Sequence, residues 1–123
     1  MGKQKEGRTT VYNEITSAEK LKQVNPDNIQ LEEDFLEYLA SIDRSKGTIK
    51  QYKANLHVFW CWNLEFNKNK FFVDLTKREI SKFQSHAINT WQWSPKRIRT
   101  VKATISSLSN YIENILDDEY DGY

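Results

Sequence analysis

The fold is decided by residues 45–66, SKGTIKQYKANLHVFWCWNLEF. Ser45 is a suitable N-cap for a helix, because its hydroxyl can accept a hydrogen bond from a backbone N–H of the first turn. Beyond it, side chains of one stripe return at the helical period: Ile49, Tyr52, Leu56, Phe59, Trp60 and Asn63. This pattern predicts a long amphipathic helix that begins after Ser45 and ends near Phe66.

A shorter amphipathic helix is predicted upstream, opened by Asn25 and Pro26 and ending near Ile42. Its acids lie at angles away from the apolar stripe and are expected in solvent; they are Glu32, Glu33 and Glu37. Residues 1–24 are polar and lack a sustained period, so we expect a flexible or weakly ordered N-terminal segment there. A short extra helix over residues 17–24 is the open alternative.

Two more helices are predicted downstream. One begins at Thr76, which forms a capping box with Glu79 three residues later. The other begins at Ser94 and Pro95, a capping hydroxyl followed by proline at the first helical position, and ends near Leu116. This last helix has the most regular apolar seam of the chain: Ile98, Val101, Ile105, Leu108, Ile112 and Ile115. The chain is therefore predicted to be all-α, with four main helices.

The aromatic side chains divide into two groups. Those at helical spacing or in short apolar runs are predicted to fill the core: Phe59, Trp60, Phe66, Phe71, Phe72, Phe83 and Trp91. Trp62 and Trp93 lie off the stripes, where they either stack on bases or plug the base of the bundle, and we favour the second interpretation. Residues 71–73 are predicted to tuck against the core as a connector rather than pair as a strand.

Charge is distributed unevenly along a chain whose net charge is only +1. Between Arg44 and Lys102 there are 13 Lys and Arg side chains and 3 acids. The segments on either side are acidic, which hides this middle segment in the overall balance. Such an asymmetry is typical of a protein that binds a polyanion.

Two helices carry the positive charge. One flank of the helix over residues 45–66 bears a basic ridge, made of Lys46, Lys50, Lys53 and His57. The first two turns of the last helix bear a basic cap, made of Lys96, Arg97, Arg99 and Lys102. Cations in early turns oppose the helix dipole, so helix stability does not explain them. With nearby hydroxyls of Ser45, Thr48, Ser94 and Thr100, they are predicted to bind nucleic-acid phosphates.

Several other classes of function are disfavoured by the sequence. Cys61 is the only cysteine, and with His57 and His86 it makes no metal-ligand spacing, so we expect no disulfide, no metal and no cofactor. No apolar run is long enough for a membrane span or a signal peptide, so we expect a cytoplasmic protein. No catalytic motif is evident, and the chain is not expected to be an enzyme on its own.

The string Ser45-Lys46-Gly47-Thr48-Ile49-Lys50-Gln51-Tyr52, followed by Leu56, Phe59 and Trp62, resembles the start of the N-terminal core-binding domain of phage integrases and other tyrosine recombinases. Residues 74–83 resemble that family's third helix, and residues 105–112 its last. The resemblance covers about residues 27–116. It implies a compact four-helix orthogonal bundle, SAM-like, over residues 25–116, forming one half of a C-shaped clamp around DNA.

The resemblance also implies which helices face the DNA, namely the second and the fourth. On the second it selects Ser45, Lys46, Thr48, Lys50 and Lys53, and on the fourth Lys96, Arg97, Arg99 and Lys102. The charge argument selects the same helices and adds His57 at the end of the basic ridge. A position that is often basic in the family's last helix is Ser109 here, which departs from the pattern.

A catalytic domain with an Arg, His and Tyr constellation would follow this region in such an integrase. We therefore expect a non-catalytic fragment of a prophage or mobile-element recombinase, with residues 117–123 as an acidic tail toward the missing domain. The expected function is to hold recombination-site DNA during site-specific integration or excision. Its expected partners are double-stranded DNA, that catalytic domain and other recombinase protomers on the same DNA.

Two other functions stay open from the sequence alone. A helical protein-interaction module would use the basic ridge on an acidic partner and the acids of the upstream helix at a second contact. This alternative predicts binding to a protein and none to DNA. A helix-turn-helix regulator ranks behind it, because residues 76–116 lack a short Gly-containing turn between two compact helices.

Overall fold

Helices account for all the regular structure in residues 15–116, the part of the chain that this computed structural model describes. They are α1 (Ala18–Gln23), α2 (Pro26–Ser41), α3 (Lys46–Phe66), α4 (Lys77–Asn89) and α5 (Pro95–Ile115), with a 3₁₀ turn (Phe72–Asp74) before α4. The described range contains no strand, so the predicted all-α fold with four main helices is confirmed. The acidic tail predicted over residues 117–123 lies outside the described residues.

The central element is α3, which packs against each of the other four helices. Its C-terminal half is apolar around most of its circumference, and residues 58–62 are all buried. Its N-terminal half has Lys and Gln on one side, and that side is exposed. A helix that is apolar all round is buried all round, whereas a one-sided helix keeps a face in solvent. This difference between the two halves decides where a binding surface can form.

The main helices begin at the caps predicted from the sequence. Ser45 and Ser94 each accept a hydrogen bond from the backbone N–H three residues later, at 3.1 and 3.2 Å. Thr76 Oγ1 accepts from the N–H of Glu79 at 3.2 Å, and Glu79 Oε1 accepts from the N–H of Thr76 at 3.0 Å. The predicted capping box is therefore confirmed, and it satisfies two of the unpaired donors at the start of α4.

Residues 15–24 belong to the folded unit, although the sequence suggested a flexible segment up to residue 24. Ser17 caps α1, since its Oγ accepts from the N–H of Lys20 at 3.1 Å, and α1 packs against α3. Ile15 and Val24 are only 6% and 3% exposed, and this burial holds the segment in place. The alternative of a short extra helix is thus the correct one. Residues 1–14 lie outside the described residues.

Buried asparagines hold the connector between α3 and α4. Asn28 on α2 donates to the carbonyl of Lys70 at 2.9 Å and accepts from the N–H of Phe72 at 2.7 Å. Asn63 on α3 donates to the same carbonyl at 2.8 Å. These bonds satisfy the backbone of a segment that has no ladder partner. Phe72 is thereby seated in the core, as predicted, and its turn is helical rather than extended.

Most of the predicted aromatic core is confirmed. Phe59, Trp60, Phe72 and Phe83 are buried, and Phe71 and Trp91 are half-buried. The prediction is wrong for Phe66, which is 57% exposed. Phe66 is the last residue of α3, where the His86 ring covers it on one side at a centroid distance of 4.6 Å. Ile42 and Ile115, also at helix ends, are exposed as well.

Glu32 is a second correction, because this carboxylate is buried and does not face solvent. Its side chain lies between α2 and α3, where Oε1 accepts from Trp60 Nε1 at 2.9 Å and Oε2 lies 3.1 Å from His57 Nε2. A carboxylate is tolerated in such a place only when donors surround it. Glu33 and Glu37 are exposed, as predicted.

Candidate nucleic-acid interface

The N-terminal half of α3 presents an exposed arc that contains the three lysines of the basic ridge. Lys46, Lys50 and Lys53 are exposed, and so are Gly47 and Gln51. At about 100° per residue, the arc spans roughly 160° of the helix, with Lys53 at one edge and Gln51 at the other. Gly47 adds open space to it, since a Cβ placed there would meet its nearest neighbour at 4.0 Å. One side of the arc therefore carries the lysines. The other side is uncharged, and at Gly47 it has no side chain that projects from the helix.

A groove of about 540 Å³ adjoins the Gln51 edge of this arc. We call it the α3–α5 groove, and its lining includes Gln51 and Asn55 of α3, Lys96, Arg97 and Thr100 of α5, and Trp93 of the turn before α5. Among residues 15–116, no acidic side chain lines it. The fold thus sets the exposed arc of α3 and the start of α5 on the two sides of one open channel.

The four cations of the basic cap point in different directions around α5. Lys96 and Arg97 line the α3–α5 groove. Arg99 is exposed beside Lys96 on the solvent face. Lys102 is also exposed, but it lies about 160° around the helix from the groove-lining Thr100. All four predicted cations are in solvent, and two of them face α3.

His57 is separated from the lysines of the basic ridge. Its side chain is 16% exposed, and its Nε2 is directed at Glu32 of α2 over 3.1 Å. It shares a flank with Lys53, but α2 packs against α3 at its level and covers it. The open cationic surface of α3 therefore consists of the lysines alone, and we leave His57 out of the candidate interface.

The first turns of α3 and α5 differ electrostatically from those of the other helices. α1, α2 and α4 each have an acid in the first turn, namely Glu19, Asp27 and Glu79, whereas α3 and α5 have none. The ion pairs within residues 15–116 do not involve the lysines of the basic ridge or any member of the basic cap. These cations oppose the helix dipoles and have no ion-pair partner in the described part of the chain, so they are available to an external anion.

The hydroxyls predicted to assist the cations are not equivalent. Ser45 Oγ donates to Thr48 Oγ1 at 2.9 Å, and Thr100 Oγ1 donates to the carbonyl of Lys96 at 3.0 Å, so these two protons are in use. Thr48 and Ser94 act as acceptors in their hydrogen bonds. A hydroxyl that accepts still has its own proton to donate. Thr48 and Ser94 are therefore the hydroxyls that can serve a phosphate oxygen.

Arg97 stacks on Trp93 at the edge of the groove. The guanidinium carbon lies 4.5 Å from the centre of the Trp93 ring. Partial burial of the guanidinium lowers the pKa of Arg97 from its ordinary value. Trp93 and Trp62 are 8% and 4% exposed, so their interpretation as core residues is confirmed. Their rings are not free platforms for stacked bases.

Three neutral residues of the groove, Gln51, Asn55 and Gln92, are not among the site residues predicted from the sequence. Gln51 had a usable signal, because it follows Lys50 on the same exposed side of α3. Asn55 had none, since its partner Thr104 lies 49 residues further along the chain. Asn55 is buried at 3% exposure and connects α3 to α5. Charge and periodicity do not reveal such neutral side chains.

Metal-binding, thiol and membrane-spanning features are the other candidates within residues 15–116. No three His, Cys, Asp or Glu side chains in this range come close enough together to hold a metal ion. Cys61 is buried, and burial raises the pKa of its thiol. None of the described helices is both long and apolar enough to cross a bilayer. The exposed arc and the groove are the features that a function has to explain.

Comparison with known proteins shows the family of this chain. Residues 31–122 match the model described as the phage integrase N-terminal SAM-like domain. The chain is also 30% identical over 102 residues to the SPbeta prophage-derived recombinase-like protein YomM of Bacillus subtilis (strain 168). That alignment covers 83% of this chain and 29% of YomM, so the chain spans less than a third of this relative's length. No solved structure matches the chain.

The family match includes most of α2 and the whole of α3, α4 and α5. These helices contain the motifs on which the resemblance to integrases was based, and their order and number agree with a SAM-like domain. The resemblance is confirmed by the match to the family model and by the recombinase-like relative. The chain therefore belongs to the phage integrase family, as an N-terminal SAM-like domain.

Proposed function

We propose that this chain is the DNA-binding core-binding domain of a prophage or mobile-element tyrosine recombinase. In this proposal it clamps one side of the recombination-site DNA during site-specific integration or excision. The family match supports the domain type, and the similarity to YomM, a prophage-derived recombinase-like protein, supports the genetic context. The domain supplies contacts to DNA, while bond cleavage and rejoining belong to a separate catalytic domain.

One observation carries the proposal: among the described residues, cations without an ion-pair partner flank an open groove with no acidic lining, between the two helices that the family resemblance selects. Lys50 stands on the α3 arc, and Lys96 on the facing wall of α5. Duplex DNA carries about one negative charge per 1.7 Å of its axis, and each neutralised phosphate releases counterions into solution. Because no described acid neutralises these cations, each of them can neutralise a phosphate, and the released counterions favour binding.

The residues have different roles in this proposal. Phosphate contacts come from the open cations of α3 and α5: Lys46, Lys50, Lys53, Lys96, Arg97 and Arg99. Lys102 lies on the far flank of α5, so it can contact only a phosphate at the edge of the interface. Gln51 is neutral and at the groove edge, where its amide can pair with a base, while Gly47 lets the DNA approach the helix closely. Ser45 caps the start of α3, while the Thr48 hydroxyl, whose proton is free, donates to a phosphate oxygen.

The partners follow from the same proposal. Double-stranded DNA occupies the surface of α3 and α5 in the cytoplasm. The catalytic domain of the same recombinase closes the clamp from the other side, and further protomers bind neighbouring sites on the DNA. The core-binding domain then determines where the complex sits, since phosphate contacts fix position and orientation.

The experiment that tests this function is a titration of the purified domain against fluorescent duplex DNA, followed by anisotropy at several salt concentrations. Engagement of about four to six phosphates predicts that log K falls with log salt at a slope of roughly −4 to −5. Saturable binding with this slope supports the proposal. An absence of binding at low salt, together with binding to an acidic helical peptide, would contradict it in favour of a protein-interaction module.

The structure weakens the alternative of a protein-interaction module. It assigned a second contact to Glu32, Glu33 and Glu37 on the upstream helix. Glu32 is 4% exposed and bound to Trp60, so it is not available to a partner. Only Glu33 and Glu37 are exposed, so the acidic face that this alternative needs has two carboxylates and not three.

A further inference from the structure

The side-chain amide of Gln51 is exposed on α3 and keeps most of its hydrogen-bonding capacity. Gln51 also lines the α3–α5 groove. Within residues 15–116, its side chain makes one hydrogen bond, from Nε2 to Asn55 Oδ1 at 3.1 Å. A glutamine amide has two N–H donors and an oxygen that accepts. One N–H of Nε2 and the whole of Oε1 are therefore left for a ligand.

A series of hydrogen bonds fixes which end of this amide is turned inward. It starts at the backbone carbonyl of Thr100 on α5, which only accepts, and which accepts from Thr104 Oγ1 at 3.2 Å. Because its proton is used there, Thr104 Oγ1 accepts from Asn55 Nδ2 at 2.9 Å. Asn55 then offers its Oδ1 to Gln51, so the amide of Gln51 turns Nε2 toward it and keeps Oε1 for a ligand.

Gln51 belongs to an uncharged row of α3 that has cations on both sides. Gly47, one turn earlier, lies about 40° from it around the helix, and a Cβ at Gly47 would meet open space up to 4.0 Å. Lys50 is exposed on one side of this row, and Lys96 and Arg97 line the α3–α5 groove on the other. A duplex presents its base edges between two phosphate backbones. With phosphates on both sets of cations, the base edges would meet the uncharged row.

The free groups of Gln51 match the major-groove edge of adenine. Adenine presents a donor, N6, beside an acceptor, N7, so Oε1 accepts from N6 while the remaining N–H donates to N7. The bond to Asn55 stays in place during this contact. Guanine presents two acceptors on that edge, and thymine and cytosine each present a single hydrogen-bonding group. Adenine is therefore the base that uses both free groups of the amide.

We propose that Gln51 recognises one adenine of the recombination site through this pair of hydrogen bonds, and that Asn55 and Thr104 are positioning residues for its amide. The inference rests on the proposed function, because it needs a duplex on the surface of α3 and α5. It adds base recognition to cations that contact phosphates in any sequence. Asn55 and Thr104 are 3% and 0% exposed, so they act through Gln51 and not on the base.

The first experiment compares the base preferences of the unaltered chain and Gln51→Ala. Both proteins select duplexes from a randomised library, and we expect one A·T pair that is selected by the unaltered chain alone. Four fluorescent duplexes, with each of the four base pairs at that position, are then titrated by anisotropy. The unaltered chain should favour adenine at least about fivefold over each other base, whereas Gln51→Ala should bind all four within about twofold.

Gln30→Ala is the matched control for this substitution. Gln30 is an exposed glutamine that donates to a side chain four residues later, Asp34 Oδ1 at 3.0 Å, but it lies on α2. This variant should keep the adenine preference of the unaltered chain. An adenine preference that survives in Gln51→Ala, or a lost preference for a different base, would overturn the assignment.

Thr104 tests the positioning role through a side chain that does not reach the DNA. Thr104→Val removes the acceptor that orients Asn55, whereas Thr104→Ser keeps the hydroxyl, and circular dichroism checks that both are folded. We expect the valine variant to lose the adenine preference with an unchanged salt slope, and the serine variant to retain it. Equal preferences in the two variants would reject the positioning role. Gln51→Ala, at an exposed position, tests the contact with adenine even if the valine variant does not fold.

Failure of the adenine contact and failure of the proposed function give different results. Salt-dependent binding in which Gln51→Ala selects the same sites as the unaltered chain would reject the contact and leave the function standing. An absence of binding to any duplex at low salt would reject both.

Discussion

Asn55 of α3 donates a hydrogen bond from Nδ2 to Thr104 Oγ1 of α5 over 2.9 Å, and both side chains are buried. Two further bonds extend this link in both directions. Asn55 Oδ1 accepts from Gln51 Nε2 at 3.1 Å, and Thr104 Oγ1 donates to the carbonyl of Thr100 at 3.2 Å. Gln51 and Thr100 line opposite sides of the α3–α5 groove. A continuous polar chain therefore sets the spacing of the two helices that carry the proposed surface.

Replacing Asn55 by alanine should weaken both the fold and the groove. It removes a buried donor and leaves its partner on α5 less well satisfied, so we expect a loss of about 1–3 kcal/mol in the free energy of unfolding. Urea denaturation measures this loss. Asn110→Ala, on an exposed part of α5, is the control and should change stability by less than about 0.5 kcal/mol. Equal losses of stability in the two variants would mean that the hydrogen bond from Asn55 to Thr104 does not stabilise the fold.

Replacing Glu32 by alanine should destabilise the domain far more than the same change at Glu33. Glu32 satisfies the buried indole of Trp60, whereas its neighbour Glu33 is exposed. The lost hydrogen bond and the unpaired N–H predict a decrease of roughly 2–3 kcal/mol for Glu32→Ala, against less than about 0.5 for Glu33→Ala. Thermal unfolding followed by tryptophan fluorescence compares them. A small effect at Glu32 would show that water replaces the carboxylate at little cost.

Because of Glu79, the free energy of unfolding of the domain should depend on pH in the acidic range. The Lys70 ammonium, whose Nζ lies 2.7 Å from Oε2, and the backbone N–H of Thr76 lower the pKa of Glu79 from 4.5 to about 2. Because the pKa is lower in the folded state, the stabilisation is present in full above about 4.5 and disappears as the pH falls toward 2.

The matched variant for this prediction is Glu79→Gln, which keeps the size of the side chain and removes its charge. At pH 6 the unaltered domain should be the more stable of the two, and the difference should narrow steadily below about pH 4.5. Urea midpoints measured across this range test it. A difference that is constant with pH would mean that the ion pair with Lys70 does not form in solution.

Gln92 should be a site where glycine stabilises the chain. Its φ is 57°, a left-handed conformation that costs a residue with a Cβ roughly 1–2 kcal/mol. Glycine avoids this strain, and the relief exceeds the additional backbone entropy that glycine loses on folding. We expect Gln92→Gly to raise the free energy of unfolding by about 0.5–1 kcal/mol. Gln84→Gly, within α4, should lower it by about 1 kcal/mol, because glycine is a poor helix former. Denaturation of both variants would settle the sign, and a loss at Gln92 would contradict the prediction.

Helix starts could be predicted from the sequence because both partners of each cap are close together in it. Ser45, Thr76 and Ser94 bond to backbone groups three residues away, and proline and glutamate at fixed offsets add to the signal. The apolar seam of α5 is equally local. For the same reason, the number and order of the main helices could be predicted from the caps and the periodicity together.

Partners from distant parts of the chain could not be predicted in this way. Glu32 is buried because His57 and Trp60, 25 and 28 residues further on, meet it across the interface of α2 and α3. Periodicity put His57 on the correct flank of its helix, but it does not show which neighbouring helix covers each turn. The groove has the same origin, since Gln51 and Trp93 line it together only after α3 and α5 have packed.

The most direct test of the central claim is a comparison of two double charge reversals in the DNA titration. Lys50→Glu with Lys96→Glu reverses the α3 arc and the facing wall of α5. Lys77→Glu with Lys82→Glu changes the net charge equally, on exposed positions of α4. Neither pair should reduce helix content, and the glutamate in the first turn of α5 or α4 favours the helix dipole. Loss of DNA binding in the first variant, with binding largely retained in the second, is the predicted result. Equal affinities in the two variants would contradict the proposed surface.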